Sequence, residues 1–331
     1  MDQTWQPACD LEYLRLRAQM LKKIRFFFEE RAVLEVETPL LCSTTGTDPQ
    51  LDFFSCEYHS FANKESLSNK IMYLQTSPEF AMKRLLAAGS GSVFQICKAF
   101  RNGEAGQIHN PEFTILEWYR VGFDLPQLMD EVVDLISTVL TVDSTNLDVY
   151  KVSYVDLFQQ ATGLNPLEFC LSDYCSYAQE NGISDAIDIC GNDYSMWLDF
   201  IFSHKVQPVI EPYALALVYA YPAIQSSLAR INTKNTAVAD RFEVFIQGVE
   251  IANGFFELAD VIEQEKRFDQ ENADRLAMGL SAVKKDQYFL NALASGLPDC
   301  SGIAIGLDRL LMMMTKNKSL NNVIAFPFDR A

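Results

Sequence analysis

The chain has 331 residues, of which 49% are hydrophobic and 21% charged, and its formal net charge is −17. That is enough apolar sequence for one large domain or two ordinary ones. The acidity argues against a broad nucleic-acid surface, which must neutralise phosphates, and fits a cationic or small-molecule partner.

The eight cysteines form no CxxC pair and stand away from the three histidines, so no zinc site is expected. Most sit in apolar runs, as buried thiols do. No apolar run approaches the ~20 residues of a bilayer span, so no membrane is expected. Without a secretory leader, the reduced cytoplasm is the expected compartment.

Leu11, Leu14, Ala18, Leu21, Ile24 and Phe28 recur at helical spacing, which predicts a helix ending near Arg31 or Ala32. Residues 33–41 read as a strand broken at Pro39, since proline cannot donate to a ladder. Helix, strand and edge proline would suit a dimer-forming element and equally an ordinary edge strand. Residues 43–72 predict a strand between polar loops, with SLSNK at 66–70 the most loop-like stretch. The run TSPEFAMKRLLAAG at 76–89 predicts a helix. Ser77 would cap it, Pro78 open it, Glu79 fill its first turn and Gly89 close it.

The stretch FRNGEAGQIHNPEFTILEWY, 100–119, joins a strand end, a polar loop and a second strand. In the second strand Phe113, Ile115, Glu117 and Tyr119 share one face. A carboxylate on such a face needs a partner, and a cationic ligand would serve. A polar-edged structural hairpin is the plainer alternative. Residues 125–140 predict an amphipathic helix. Helices follow near 153–161, 173–181 and 194–205, then a strand at 214–222, with no motif that carries chemistry.

RFEVFIQGVEIANGFFEL begins at Arg241. Glu243, Phe245 and Gln247 share one parity, Gly248 permits a turn or bulge, and Asn253, Phe255 and Glu257 share a face by period two. Glu243 and Glu250 suit a magnesium site that also holds substrate phosphates, or else a solvated face. A charged helix over 260–279 and another over 284–295 lead to Gly302–Gly306, an apolar strand whose glycines permit close approach. Asp308 and Arg309 open the last helix, with Leu310, Leu311 and Met314 toward the core. An arginine in the first turn opposes the helix dipole, so it wants an anion or a neighbouring acid.

A long helix and strand ending in Pro39, a hairpin with one strand closed by Arg101, and a glycine-rich strand running into a helix that starts with Arg309, in this order, resemble the three motifs of class II aminoacyl-tRNA synthetases. The likeness is closest to the lysyl-tRNA synthetase catalytic domain, through HNPEFTILEWY, RFEVF with GVEIANGFFEL, and GIAIGLDRL. It implies an α+β fold: an antiparallel sheet flanked by helices, in a single catalytic domain over 1–331. About nine residues precede the first helix, too few for the anticodon-binding barrel of lysyl-tRNA synthetases. The arrangement is similar to barrel-less paralogues that adenylate (R)-β-lysine and attach it to a lysine side chain of elongation factor P. ATP and Mg²⁺ as cofactors, a homodimer and no tRNA partner are then expected. A minimal tRNA-charging enzyme and a non-catalytic paralogue are the alternatives, and an aspartate-using relative fits the acidic pocket less well.

The resemblance also implies roles. Arg101 would hold the α-phosphate and carboxylate, and Arg309 the γ-phosphate; these two are the catalytic residues. The nucleotide would further meet Asn102, Gly103, Glu104, Asn110, Phe113, Glu250, Ile251 and Gly306, with Phe113 stacked on adenine. Magnesium would sit on Glu243 and Glu250. Ser77, Pro78, Glu79, Glu117, Tyr119, Asn253, Phe255, Glu257 and Ala304 would form the amino-acid pocket. Ser77 and Ala304 stand where lysyl-tRNA synthetases usually carry alanine and glycine, a pair linked to β-lysine preference. One departure is plain: the family has Asn-Glu after the arginine, whereas here Gly103 intervenes before Glu104. Either Glu104 takes the adenine contact or adenine is held more loosely. No residue stands out as a general base for transfer.

Overall fold

The computed structural model describes residues 5–59, 70–141 and 147–331. The SLSNK stretch falls, except for Lys70, outside the described residues. The chain forms two compact units, Met1–Phe123 with Ala259–Ala331, and Asp124–Leu258.

In the first unit, α1 (Leu11–Glu29) starts at Asp10, whose side chain accepts from the Glu12 N–H. This satisfies one of the helix's orphan donors. Its buried residues are Met20, Ile24, Phe27 and Phe28, whereas Leu11 and Ala18 are exposed. The expected stripe is therefore realised only in the second half of α1. There Phe28 stacks on Phe94 with centroids 4.5 Å apart and meets Trp118 edge-on at 5.3 Å. The expected strand over 33–41 is split into β1 (Leu34–Glu35) and β2 (Leu41–Cys42). Pro39 lies in the break, and the two pieces pair with different strands.

β3 (Ser55–Tyr58) and β4 (Lys70–Leu74) complete a three-stranded antiparallel sheet with β2, in the order β2-β4-β3. α2 (Glu79–Ala87) follows, with Pro78 in the cap position. The capping atom is still Ser77 Oγ, which accepts from the Glu79 N–H at 3.0 Å. Gly89, at φ +86°, turns the chain out of the helix. β5 (Val93–Phe100) and β6 (Glu112–Val121) then form the expected hairpin, paired from Val93–Tyr119 to Phe100–Glu112.

The second unit opens with α3 (Leu125–Leu140), which carries a capping box between Asp124 and Gln127. β7 (Val149–Ser153), α4 (Tyr154–Thr162), α5 (Leu171–Glu180), α6 (Asp185–Cys190) and α7 (Tyr194–Ile201) follow. β7 is absent from the sequence-based reading because VYKVS runs into α4 with no glycine or proline between them. β8 (Leu215–Tyr219), β9 (Arg241–Ile246) and β10 (Val249–Phe256) complete this unit's strands. β7 pairs parallel with β8, and β8–β9 and β9–β10 are antiparallel. Tyr154, Phe158, Tyr174, Trp197, Phe202 and Phe245 build the core. Burying each such ring contributes about 2 kcal/mol.

The chain returns to the first unit with α8 (Val261–Ala277), α9 (Gln287–Ser295), β11 (Cys300–Gly306) and α10 (Leu307–Met314). β11 pairs antiparallel with β6, and β1 pairs parallel with β5. The architecture is thus α+β: antiparallel ladders flanked by helices, with parallel pairs at β1–β5 and β7–β8. In α10 the buried residues include Leu310, Leu311 and Met312, while Met314 is half-buried. No helix among the described residues is long and apolar enough to cross a membrane.

Candidate active site

Ladder register determines which side chains of the first unit meet. Glu117 on β6 lies opposite Gln95 on β5 and opposite Ala304 on β11. One step along, Tyr119 lies opposite Val93 and Gly302; on the other side Ile115 lies opposite Cys97 and Gly306. Cross-strand partners share a face, so these three rows form one surface. Gly302 and Gly306 leave room above it, and Ala304 places one methyl beside Glu117.

Glu117 is buried, at 2% exposure. Its Oε1 accepts the Tyr119 hydroxyl at 2.7 Å. Its Oε2 has no hydrogen-bond partner among the described residues. Burial, and secondarily the nearby Glu79 carboxylate, push its pKa up to about 8, against the hydroxyls of Tyr119 and Ser77 and the charge of Lys83. Glu79 accepts from Lys83 Nζ at 2.7 Å across one turn of α2. Gln95 Oε1 accepts the Thr38 hydroxyl at 2.9 Å. Half-buried Ser77 and Glu79 at the start of α2 and buried Glu117 and Tyr119 on the inner face of β6 therefore form one acidic wall.

The arginines occupy the loop end of the same hairpin. Arg101 lies with its guanidinium carbon 5.0 Å from the Phe113 ring centroid and 3.8 Å (Nη1 to Oε1) from Glu104. Its Nε is buried with no hydrogen-bond partner among the described residues. Glu104 thus faces Arg101 despite the intervening Gly103, whose φ of +76° makes the extra turn that glycine tolerates best. Asn102 is held by Asp52, whose carboxylate accepts its side-chain amide at 2.6 Å and whose carbonyl accepts its N–H at 3.1 Å.

Arg309 does not pair with Asp308. Asp308 is bound to Arg17 of α1 and accepts from the Thr114 N–H at 2.6 Å. Arg309 instead donates to the Ile108 carbonyl at 3.1 Å and lies 2.6 Å from His109 Nε2. A guanidinium has no acceptor, so Nε2 accepts and the imidazole is neutral. Burial, then the charge of Arg309, lower the His109 pKa. Arg101 and Arg309 carry the positive charge of the loop end, beside a neutral His109. Asn110 turns inward: its amide donates to the Glu112 carbonyl at 2.6 Å and its oxygen accepts from the Phe328 N–H at 2.9 Å.

In the second unit β9 and β10 meet through a two-residue turn, with φ positive at Gln247 (48°) and Gly248 (78°). A bulge between Glu250 and Ala252 shifts the register: Glu250 pairs with Phe245, and Asn253 with Glu243. Phe245 and Glu243 are two apart, so Glu243, Glu250 and Asn253 lie on one face. Strict alternation would separate Glu250 from Asn253, and Ile251 is the residue the bulge takes up. Glu243 accepts from the Tyr221 hydroxyl at 2.6 Å and pairs with Arg241, which also donates to Asn253 Oδ1 at 3.2 Å. Burial raises the Glu243 pKa, Arg241 opposes this, and Glu250 reinforces it. Glu257 is buried, with its carbonyl accepting from Arg230 at 3.4 Å. Phe255 packs in a small core with Ala229 and Ala239. Among the described residues no group of three or more His, Cys, Asp or Glu side chains could hold a metal.

Sequence reasoning missed Lys83, His109, Arg241 and Tyr221. Lys83 is signalled by its place four residues after Glu79, and His109 by being one of three histidines. Arg241 alternates with Glu243 on one strand face. Only Tyr221 carries no local signal.

An arginine-bearing antiparallel hairpin paired with a glycine-rich strand, which runs into a helix opening on arginine, defines the class II synthetase fold. The model of that family, tRNA synthetases class II (D, K and N), matches residues 10–330, and the chain belongs to it. Within the family, the chain is 45% identical over 331 residues, all of both chains, to elongation factor P–(R)-β-lysine ligase of Vibrio atlanticus. It is 43% identical, again over the whole of both chains, to the ligase of that name from Photobacterium profundum. It is 44% identical over 328 residues, 99% of this chain and 98% of the relative, to that of Salmonella dublin.

Proposed function

We propose that this chain is a ligase that activates (R)-β-lysine with ATP, and α-lysine less well, then transfers it to a lysine side chain of elongation factor P. The observation that carries the substrate reading is the Glu79–Glu117 wall. A buried carboxylate with an unbonded oxygen is the complement of an ammonium group, and Glu117 offers Oε2. The relatives' names supply the acceptor.

Adenylation needs alignment and charge rather than acid–base chemistry. The substrate carboxylate attacks the α-phosphorus and the bond to pyrophosphate breaks. Arg101 holds the α-phosphate against that carboxylate, and Arg309 with His109 holds the terminal phosphate. Phe113, already beside the Arg101 guanidinium, offers its other face to adenine. Such fixed cations stabilise charge that develops in the transition state. Glu243 and Glu250, on one strand face, fit Mg²⁺, which takes one or two carboxylates and substrate phosphates for its remaining sites. Bound there, it would supply further positive charge to the phosphates. For transfer, the acceptor amine must lose its proton, and no side chain is assigned that task.

A homodimer through α1 and β1 belongs to the same reading, supported by exposed Leu11, Phe26 and Leu34. The deciding experiment is ATP–pyrophosphate exchange with α-lysine, β-lysine and other amino acids, followed by transfer to purified elongation factor P or to tRNA. Exchange led by β-lysine with labelling of the factor is expected. Labelling of tRNA alone would overturn the proposal, and no exchange with any amino acid would point to a non-catalytic paralogue.

A further inference from the structure

Lys83 is only 1% exposed, yet its amine is placed against a carboxylate of a wall proposed to receive ammonium groups. Its Nζ lies 2.7 Å from Glu79 Oε1, and 5.8 Å from the centroid of the Phe289 ring on α9. A buried cation is tolerated only where carboxylates hold it, and removing one member of such a pair strands the other. Glu79 is therefore fixed in place by a residue of the protein itself. Glu117 is the other carboxylate of the wall, and its Oε2 is unbonded. Around Glu117 stand Glu79 and Lys83 from α2, Ser77 before it, Gln95 and Cys97 from β5, and Tyr119 from its own strand. Ala304 from β11 adds no charge.

We infer that Lys83 is a positioning residue that sets substrate specificity through Glu79. By holding that carboxylate and repelling a second ammonium from its end of the wall, it directs the substrate's amino group to Glu117. Lysine and β-lysine differ in how far one amino group stands from the carboxylate. A wall with one internally occupied acid and one vacant acid reads that distance, whereas two vacant acids would accept either spacing. This inference rests on the diamino-acid reading of the site.

The test uses the full chain, with Lys83→Met and the double variant Lys83→Met/Glu79→Gln, in ATP–pyrophosphate exchange. Removing both charges is milder than stranding one. Lys83→Met is expected to raise the KM for β-lysine by about tenfold, with the KM for ATP within about twofold of wild type. The pH profile of the β-lysine KM should also shift alkaline, because Lys83 favours ionised Glu117. The double variant is expected to restore that profile and to reduce the β-lysine over α-lysine preference by about tenfold. Unchanged selectivity in the double variant would overturn the inference even if Lys83→Met fails to fold. So would a raised KM in Lys83→Met whose pH profile does not move. Failure of wild-type exchange with either lysine would instead overturn the functional proposal.

Discussion

Ala304 lies directly across the β6–β11 ladder from Glu117, so its methyl and the carboxylate project from the same face. Lysyl-tRNA synthetases usually have glycine there. Ala304→Gly is expected to move exchange toward α-lysine, changing the β to α ratio of kcat/KM by about tenfold, the effect of one methyl group in a pocket. The backbone at 304 is ordinary strand, so the fold should persist. An unchanged ratio would remove Ala304 as a determinant.

Glu117 predicts a pH dependence with a definite sign. Burial and Glu79 raise its pKa from the ordinary 4.5 to about 8. A carboxyl that holds its proton more tightly when folded supports stability below the ordinary value. That support is lost as pH rises toward the folded one. The empty enzyme should therefore lose thermal stability between about pH 5 and 8. An ammonium ligand needs the ionised form, so its binding releases a proton, and the KM for β-lysine should fall as pH rises over that range. Glu117→Gln should flatten both profiles and weaken amino-acid binding by about a hundredfold, the loss of a charged hydrogen bond. The measurements are thermal melts and exchange kinetics at stepped pH.

Much of this was legible in the sequence because it is written in short-range patterns. Period two put Glu117 and Tyr119 on one face of β6, and β11 and α10 fall where the glycines and Asp308 place them. What stayed hidden depends on partners far along the chain. The split of 33–41 follows from β1 and β2 joining different sheets. The short buried stripe of α1 follows from where Phe94 and Trp118 stand. The shared face of Glu250 and Asn253 comes from a bulge that alternation cannot reveal. Lys83 looks like an ordinary surface lysine until α2 packs it inward.

The turn that aligns the two glutamates predicts a stability effect. Gly248 has φ +78°, and a Cβ there would lie 2.6 Å from Glu211 Cγ. Its carbonyl accepts from Gln207 Nε2 at 2.6 Å. Gly248→Ala should cost about 1–3 kcal/mol by denaturant unfolding, from both the strained dihedral and the clash. It should also raise the Mg²⁺ concentration needed for exchange, because the β9–β10 register starts at that turn. Full stability in the variant would show that the turn yields without strain.

Asp308 and Arg309 are neighbours with separate tasks. Asp308 joins Arg17 of α1 to the backbone of Thr114, while Arg309 meets the β5–β6 loop at Ile108 and His109. Arg309→Ala should lower exchange by about a hundredfold or more, the scale of losing one preorganised charge donor, with an unchanged melting profile. Asp308→Ala should behave oppositely and lower the melting temperature by stranding Arg17 and the Thr114 N–H. Surviving activity in Arg309→Ala would show that this arginine is not the phosphate holder.

Glu243 and Glu250 share one face of the β9–β10 hairpin, and their variants test the metal assignment. Glu243 is bound to Tyr221 and Arg241, so Glu243→Gln disturbs a half-buried ion pair as well as a proposed metal ligand. It should lose both stability and Mg²⁺ affinity. Glu250 pairs with Phe245 on the same face of the ladder, and its charge acts on both Glu243 and Arg241. Glu250→Gln should raise the Mg²⁺ requirement of exchange by about tenfold or more. Magnesium titration of exchange beside thermal melts reads both quantities. Equal Mg²⁺ requirements for wild type and Glu250→Gln would remove the metal assignment from this hairpin.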